Sequence, residues 1–126
     1  MKQLEEAERL LKKAAEDECL LDQTLTNEKV ADATWGFHAQ QAAEKILKAV
    51  LVSRQVTYPK THDLAVLFEL LSKHGIGCPV AIDDLDALTP FAVALRYDDE
   101  MDSDFDRKKA RALVAELRSW SKSIVK

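Results

Sequence analysis

The chain has 126 residues, of which 47% are hydrophobic and 32% charged, with 3 Gly and 3 Pro. A chain of this length and composition is expected to form one folded domain, residues 1–126, rather than a disordered segment. The formal net charge of −4 argues against a protein that attracts long nucleic acid, so RNA is not an expected partner. No apolar run approaches about 18 residues and the N-terminus is unlike a signal peptide, so we expect no membrane segment and a cytoplasmic location.

A first amphipathic helix is predicted over residues 3–25. Glu18 is the one interruption of its apolar face, which repeats at spacings of three and four through Leu4, Ala7, Leu11, Ala14, Leu21 and Leu25. The opposite face mixes acidic and basic residues and includes Asp17. Mixed charges at these spacings stabilise an exposed helix, so we expect this face to be solvated. Cys19 and Cys78 lack a metal-binding or CxxC spacing and are expected to remain unlinked.

The second predicted helix begins near Glu28, after turn residues, and runs to about Gln55. It is apolar on two nearly opposite faces, which carry Trp35, Ala39, Ala42, Ile46, Ala49 and Val50 on one side and Phe37, Leu47 and Leu51 on the other. Such a helix must be covered on two sides, which predicts a central place in a bundle and an interface with a second copy. Gly36 predicts the close approach of another backbone or an irregular first turn.

A narrow polar strip remains on this second helix. It carries Thr34, Gln41, Lys45 and Lys48, with His38 at its border, while Gln40 and Glu44 form a further polar pair at i,i+4. We interpret Gln41 and Lys45 as one wall of a cleft.

Three further helices are predicted after a loop that contains Pro59. The third has Thr61 as its cap and ends at Gly75, with an apolar face of Leu64, Leu67, Phe68 and Leu71. The fourth carries apolar residues from Ile82 to Leu95 and is either kinked at Pro90 or restarted there with Thr89 as the cap.

The fifth helix is predicted to begin at the end of the acidic segment 98–106. Its apolar stripe comprises Ala110, Leu113, Leu117, Trp120 and Ile124, and the residues expected largely outside are Arg107, Lys108, Arg111, Arg118 and Lys122. No segment alternates apolar and polar residues between turn signals, so no strand is predicted. The fold class is therefore all-α, an up-and-down antiparallel bundle of four to five helices.

The metal-binding and catalytic patterns in the sequence are incomplete. His38, His62 and His74 lack the spacing of zinc ligands or of a base beside a nucleophile. The alternating Asp102, Asp104 and Asp106 resemble a calcium loop, but the turn glycine and the final carboxylate are replaced by Arg107 and Leu113. We therefore expect no metal and no cofactor, with Mg²⁺ entering only together with a nucleotide phosphate.

Arg96 and Tyr97 form a candidate ligand pair, because an Arg fork fits phosphate and a Tyr ring offers a stacking face. The alternative is that Arg96 pairs with the neighbouring carboxylates. The chain contains no P-loop and no GxGxxG, so side chains between helices would have to hold any nucleotide.

Three ordered segments, FHAQQAAEKILKAVL, YPKTHDLAVLFELL and LTPFAVALRYDDE, resemble the HEPN domain, the "higher eukaryotes and prokaryotes nucleotide-binding" domain. The resemblance extends from about Leu4 to Leu117. It implies an antiparallel helical bundle that commonly forms homodimers. It also implies a small nucleotidyltransferase as partner, in a toxin–antitoxin or nucleotide-handling pair. Many members are metal-independent ribonucleases whose motif is an Arg followed after four to six residues by a His.

That ribonuclease motif is incomplete in this sequence. The residues that follow Arg96 are Tyr97, Asp98, Asp99, Glu100, Met101, Asp102 and Ser103, without a His. The segment RYDD also departs from the RYP form of this branch of the family. We therefore predict a dimeric module without a catalytic residue, which binds a nucleotide or a nucleotidyltransferase through Gln41, Lys45, His62, Arg96 and Tyr97. The alternative is a ribonuclease toxin in which His38 or His62 replaces the missing residue.

Overall fold

The computed structural model describes residues 2–94 and 105–126, and these residues form helices and connecting turns without a strand. The helices are α1 (Lys2–Gln23), α2 (Asp32–Ser53), α3 (Leu64–Lys73), α4 (Ile82–Asp86), α5 (Phe91–Ala94) and α6 (Arg107–Ile124). The predicted all-α bundle is confirmed. No helix within these two described ranges has both the length and the apolar character needed to cross a bilayer.

The directions of the helices follow from which of their ends meet. Trp35 near the start of α2 donates a hydrogen bond to the carbonyl of Leu21 near the end of α1, whereas Ala7 clusters with Ala49 near the end of α2. Helices α1 and α2 are therefore antiparallel. Arg118 of α6 bonds to the carbonyl of Leu11, while Arg111, two turns earlier, bonds to Asp22 near the end of α1, so α1 and α6 are antiparallel as well.

Helix α2 is the central helix, as the sequence predicts. Both of its predicted apolar faces are buried, apart from Phe37, which is half-buried and contacts the ring of His38 edge-on. The covering side chains come from the other helices of the same chain, including Leu21, Leu64, Leu67 and Leu117. The two-sided apolar pattern is thus explained within one chain. It gives no separate evidence for a dimer interface.

The predicted fourth helix is divided into α4 and α5, with turn residues 87–90 between them. Its second part packs against α2 at Gly36, where an added Cβ would lie 2.3 Å from the ring of Phe91. The predicted close approach is therefore real, but a side-chain ring makes it rather than a backbone. The Phe91 ring also contacts Phe105, with centroids 4.8 Å apart, so the residues on either side of segment 95–104 meet beside α2.

Two predicted helix starts are wrong, and side chains explain both. Helix α2 begins at Asp32 rather than near Glu28. The amides of Asn27 and Val30 donate to the carbonyls three residues earlier, and Arg107 donates to the carbonyls of Thr24, Asn27 and Val30, so residues 24–30 form tight turns before α2 begins.

Helix α3 begins at Leu64 with Asp63 as its cap, whose carboxylate accepts from the Ala65 amide. The hydroxyl of Thr61, the predicted cap, instead accepts a hydrogen bond from the Asp63 amide, in the segment just before the helix. Thr89, predicted to cap a restarted fourth helix, instead accepts from the Leu64 amide and so joins the start of α3 to the turn before α5. The predicted end of α3 is confirmed, since Gly75 has φ +73°.

Several charged residues predicted to be solvated lie inside the bundle. Asp17 of α1 is buried, and so is Glu18, the residue that interrupts the apolar face of that helix. Arg107, Arg111 and Arg118 of α6 expose only 13%, 21% and 18% of their side chains. The periodicity predictions fail here because a long guanidinium can extend from the edge of an apolar stripe to a carboxylate on another helix.

Candidate functional site

Two groups of polar side chains lie along α2, each built around a carboxylate. In the first, the Asp17 cluster, one carboxylate oxygen lies 2.9 Å from Nδ1 of His38 and the other 2.7 Å from Nζ of Lys45. Asp17 is on α1 and its partners are on α2, so this cluster joins the two helices. The Lys45 ammonium is therefore paired with an anion.

The second group, the Glu44 cluster, has the same arrangement on the side of α2 that faces α3. One oxygen of Glu44 lies 2.8 Å from Nδ1 of His62, and the other accepts a hydrogen bond from Nζ of Lys48 at 2.9 Å. Lys48 also lies over the ring of Tyr58, 5.4 Å from its centroid. Both aromatic partners belong to the segment between α2 and α3, so Glu44 and Lys48 hold that segment against α2.

Two glutamines extend the Glu44 cluster. Fully buried Gln40 donates from Nε2 to Glu44 and to the backbone carbonyl of His62, both at 3.0 Å. Its own Oε1 accepts from Gln41 at 2.7 Å. Gln40 thus fixes both the carboxylate and the backbone of the histidine that the carboxylate contacts. Gln41 is the outermost member of this chain of hydrogen bonds.

The Glu44 carboxyl is held in its ionised form. Burial raises its pKa, but hydrogen bonds from Lys48, Gln40 and His62 more than compensate, and the pKa is lowered overall. An ionised carboxylate only accepts hydrogen bonds, so Nδ1 of His62 carries the proton that points at Glu44. In the neutral ring Nε2 then has a free lone pair, and 67% of the His62 side chain is exposed.

The structure brings together some of the sequence-predicted site residues and separates others. Gln41 and His62 belong to one hydrogen-bonded network through Gln40. Lys45 belongs to the Asp17 cluster. Arg96 and Tyr97 lie outside the described residues.

Sequence reasoning missed the two carboxylates that organise these groups. The i,i+4 spacing of Gln40 and Glu44 was a usable signal, because that pair shares one helix face. The pairing of Asp17 with Lys45 had no such signal, since it joins two helices across 28 positions. Only the packing of α1 on α2 reveals it.

A comparison with protein-family models matches residues 7–124 of the chain to the HEPN domain. The chain belongs to the HEPN domain family. Curated proteins and solved structures compared with the chain gave no match. The resemblance of the three sequence segments is thereby confirmed, and the HEPN match spans the six helices of the described residues, apart from the first residues of α1.

The HEPN ribonuclease pattern and the observed clusters differ in their chemistry. The pattern needs a His shortly after an Arg, and the chain has none at that spacing. Its two clusters instead combine a histidine with a carboxylate and a lysine. Such a group can position a ligand through the free imidazole nitrogen, or move a proton there if a reacting group lies within hydrogen-bond distance.

Proposed function

We propose that this HEPN domain is a binding module whose ligand is a nucleotide, held at the Glu44 cluster. The observation that carries the proposal is the His62 ring, which a buried, ionised carboxylate fixes at Nδ1 while most of the side chain faces solvent. A fixed ring loses little conformational entropy when a ligand binds. It accepts a hydrogen bond at Nε2 when neutral and donates one to phosphate when protonated.

The charges of the clusters restrict how phosphate would be held. Lys45 and Lys48 are each paired with a carboxylate, so neither offers an uncompensated positive charge. We propose that protonated His62 and Arg96 supply that charge and that Tyr97 stacks on the base. Gln41 contributes a hydrogen bond at the edge, and Mg²⁺ enters only with the nucleotide. Lys45 contributes only if phosphate displaces Asp17.

Isothermal titration calorimetry with ATP, GTP and AMP tests this proposal. We expect millimolar or tighter binding of at least one nucleotide to the unaltered protein, and a loss of about tenfold in His62→Ala and in Arg96→Ala. His74→Ala is the matched control, since His74 is exposed and its ring bonds to the Leu70 carbonyl of the adjoining helix α3. The absence of heat with all three nucleotides at millimolar concentration would sink the proposal.

Assembly is a separate part of the proposal. Family membership supports a homodimer and a small nucleotidyltransferase partner, as in a toxin–antitoxin pair. Light scattering at tens of micromolar protein distinguishes a dimer from a monomer, and a monomeric mass would contradict the first point. Co-purification with a nucleotidyltransferase encoded next to this protein tests the second.

A second candidate function is a metal-independent ribonuclease that uses His62. The same free Nε2 favours it, because a carboxylate-oriented imidazole is the geometry of a general base. Incubation with total RNA, with and without EDTA, distinguishes the two functions. Cleavage that survives EDTA and is lost in His62→Ala would support the enzyme, whereas intact RNA at high protein concentration would exclude it.

A further inference from the structure

A groove runs between α6 and the residues around α4, apart from both clusters on α2. Its first half is a cavity of about 370 Å³ lined by Asp84, Ala87, Leu88, Phe105, Asp106, Lys109, Ala110 and Leu113. Its second half is a cavity of about 290 Å³ lined by Pro79, Val80, Ala81, Asp84, Lys109, Ala112, Leu113 and Glu116. The halves share Asp84, Lys109 and Leu113, so they form one continuous groove.

The two halves are one helical turn apart. Along α6 and its cap residue Asp106, the first cavity is lined by Asp106, Lys109, Ala110 and Leu113. The second is lined by Lys109, Ala112, Leu113 and Glu116, each three positions further along. Three residues correspond to about 4.5 Å along a helix axis. Side chains three or four apart on a second helix have Cβ atoms about 5–6 Å apart, so two of them could enter the two cavities together.

The groove combines an apolar floor with an acidic rim. Leu88, Ala110 and Leu113 supply the floor, with the first two buried and Leu113 half-buried. The lining contains three carboxylates, Asp84, Asp106 and Glu116, against one ammonium, Lys109. That ammonium lies 4.0 Å from Asp84, and both side chains are exposed, so the pair is weak. Residues 75–94 contain no Lys, Arg or His.

We propose that this groove binds a basic amphipathic helix of a partner protein. Two apolar side chains of that helix, three or four positions apart, enter the cavities, and its Lys or Arg side chains lie against the acidic rim. Nucleic acid does not fit, because the rim carries carboxylates. A second copy does not fit either, since the basic helix α6 has its apolar face buried in its own bundle, as do the other long helices of the described part.

Fluorescence anisotropy with two labelled designed peptides tests the proposal. Both peptides are helical and carry two Leu residues three positions apart, flanked by Lys in one and by Glu in the other. We expect the Lys peptide to bind at low salt, with affinity that falls as NaCl is raised. The Glu peptide is expected to bind at least tenfold more weakly. Equal binding of the two peptides, or no binding of the Lys peptide below about 1 mM, would overturn the proposal.

Two pairs of variants locate the binding. Asp84→Lys reverses a charge in the lining, and Asp83→Lys makes the same change at an exposed neighbour that lines neither cavity. Ala112→Trp fills the second cavity, and Ala115→Trp places the same ring on an exposed position outside it. We expect about a tenfold loss in the first member of each pair and little change in the second. Equal losses within both pairs would contradict binding in the groove, and circular dichroism checks that all four variants are folded.

Discussion

The Asp17 and Glu44 clusters have the same donors, a histidine Nδ1 on one carboxylate oxygen and a lysine Nζ on the other, yet they do different work. Asp17 connects two long helices. Glu44 receives an additional bond from buried Gln40 and holds a histidine that lies between helices and is mostly exposed. The difference indicates that the first cluster stabilises the bundle, whereas the second also presents a group to solvent.

Removing each carboxylate should give the largest difference between the two clusters in the free energy of unfolding. Glu44→Ala leaves Lys48, Gln40 and His62 without their shared acceptor, and we expect a loss of about 3 kcal/mol in the free energy of unfolding. Asp17→Ala should cost about 1–2 kcal/mol, because it leaves only the partly exposed His38 and Lys45 without an acceptor, whereas the acceptor of a fully buried amide, Gln40, is lost with Glu44. Urea denaturation measures both, with exposed Glu16→Ala as the control. A larger loss for Asp17→Ala would reverse the comparison.

The next largest difference in the free energy of unfolding is expected between the Gln40→Ala and Gln41→Ala variants. Gln40→Ala removes the donor shared by Glu44 and the His62 carbonyl, and we expect a loss of about 2 kcal/mol together with a shift of the His62 NMR signals. Gln41→Ala removes only the outer bond and should cost about 0.5 kcal/mol or less. Unchanged His62 signals in Gln40→Ala would show that the amide does not position the ring.

The acid limb of the stability curve should report on Glu44. Its pKa is lowered in the folded protein below the ordinary value of 4.5, since hydrogen bonds outweigh burial. As pH falls, the Glu44 carboxylate therefore takes up a proton in the unfolded chain before it does so in the folded protein. Its contribution to the free energy of unfolding is complete above the ordinary pKa and is lost as pH falls through the pKa of the folded protein. Glu44→Gln should have a shallower dependence of unfolding free energy on pH in this window. Identical slopes in the two proteins would contradict the assignment.

A smaller stabilising effect is expected in the segment that carries His62 toward Glu44. Gln55 follows the end of α2 with φ +60°, and the next amide, of Val56, donates to Leu51. Glycine is the residue that suits such a C-terminal cap. Gln55→Gly should therefore raise the free energy of unfolding by about 0.5–1 kcal/mol. A decrease, measured by thermal denaturation, would mean that the Gln55 side chain contributes contacts of its own.

The sequence predicts the helices well because their apolar residues repeat with the helical period, and α1 and the start of α6 agree closely with the prediction. The sequence predicts the short helices α4 and α5 less well, since Pro90 is compatible with either a kinked helix or two separate helices. Of the candidate site, Gln41 and His62 were identified from family motifs. The link between them through buried Gln40 depends on where the segment after α2 returns. The partners of Asp17 and Glu18 could not be predicted, because periodicity gives no information on which charges meet between helices.

Arg107 connects distant parts of the chain in a way that bears on cooperativity. Its guanidinium donates to Asp32 and to three carbonyls before α2, and it lies over the Trp35 ring at 5.7 Å. The α1–α2 turn therefore depends on a residue 75 positions after Asp32. Opening that turn breaks the three carbonyl bonds of one guanidinium at once, so we expect the hydrogen-bonded amides of Asn27 and Val30 to exchange with solvent together with the first turn of α6. The turn between α1 and α2 and the start of α6 are therefore expected to open as one unit.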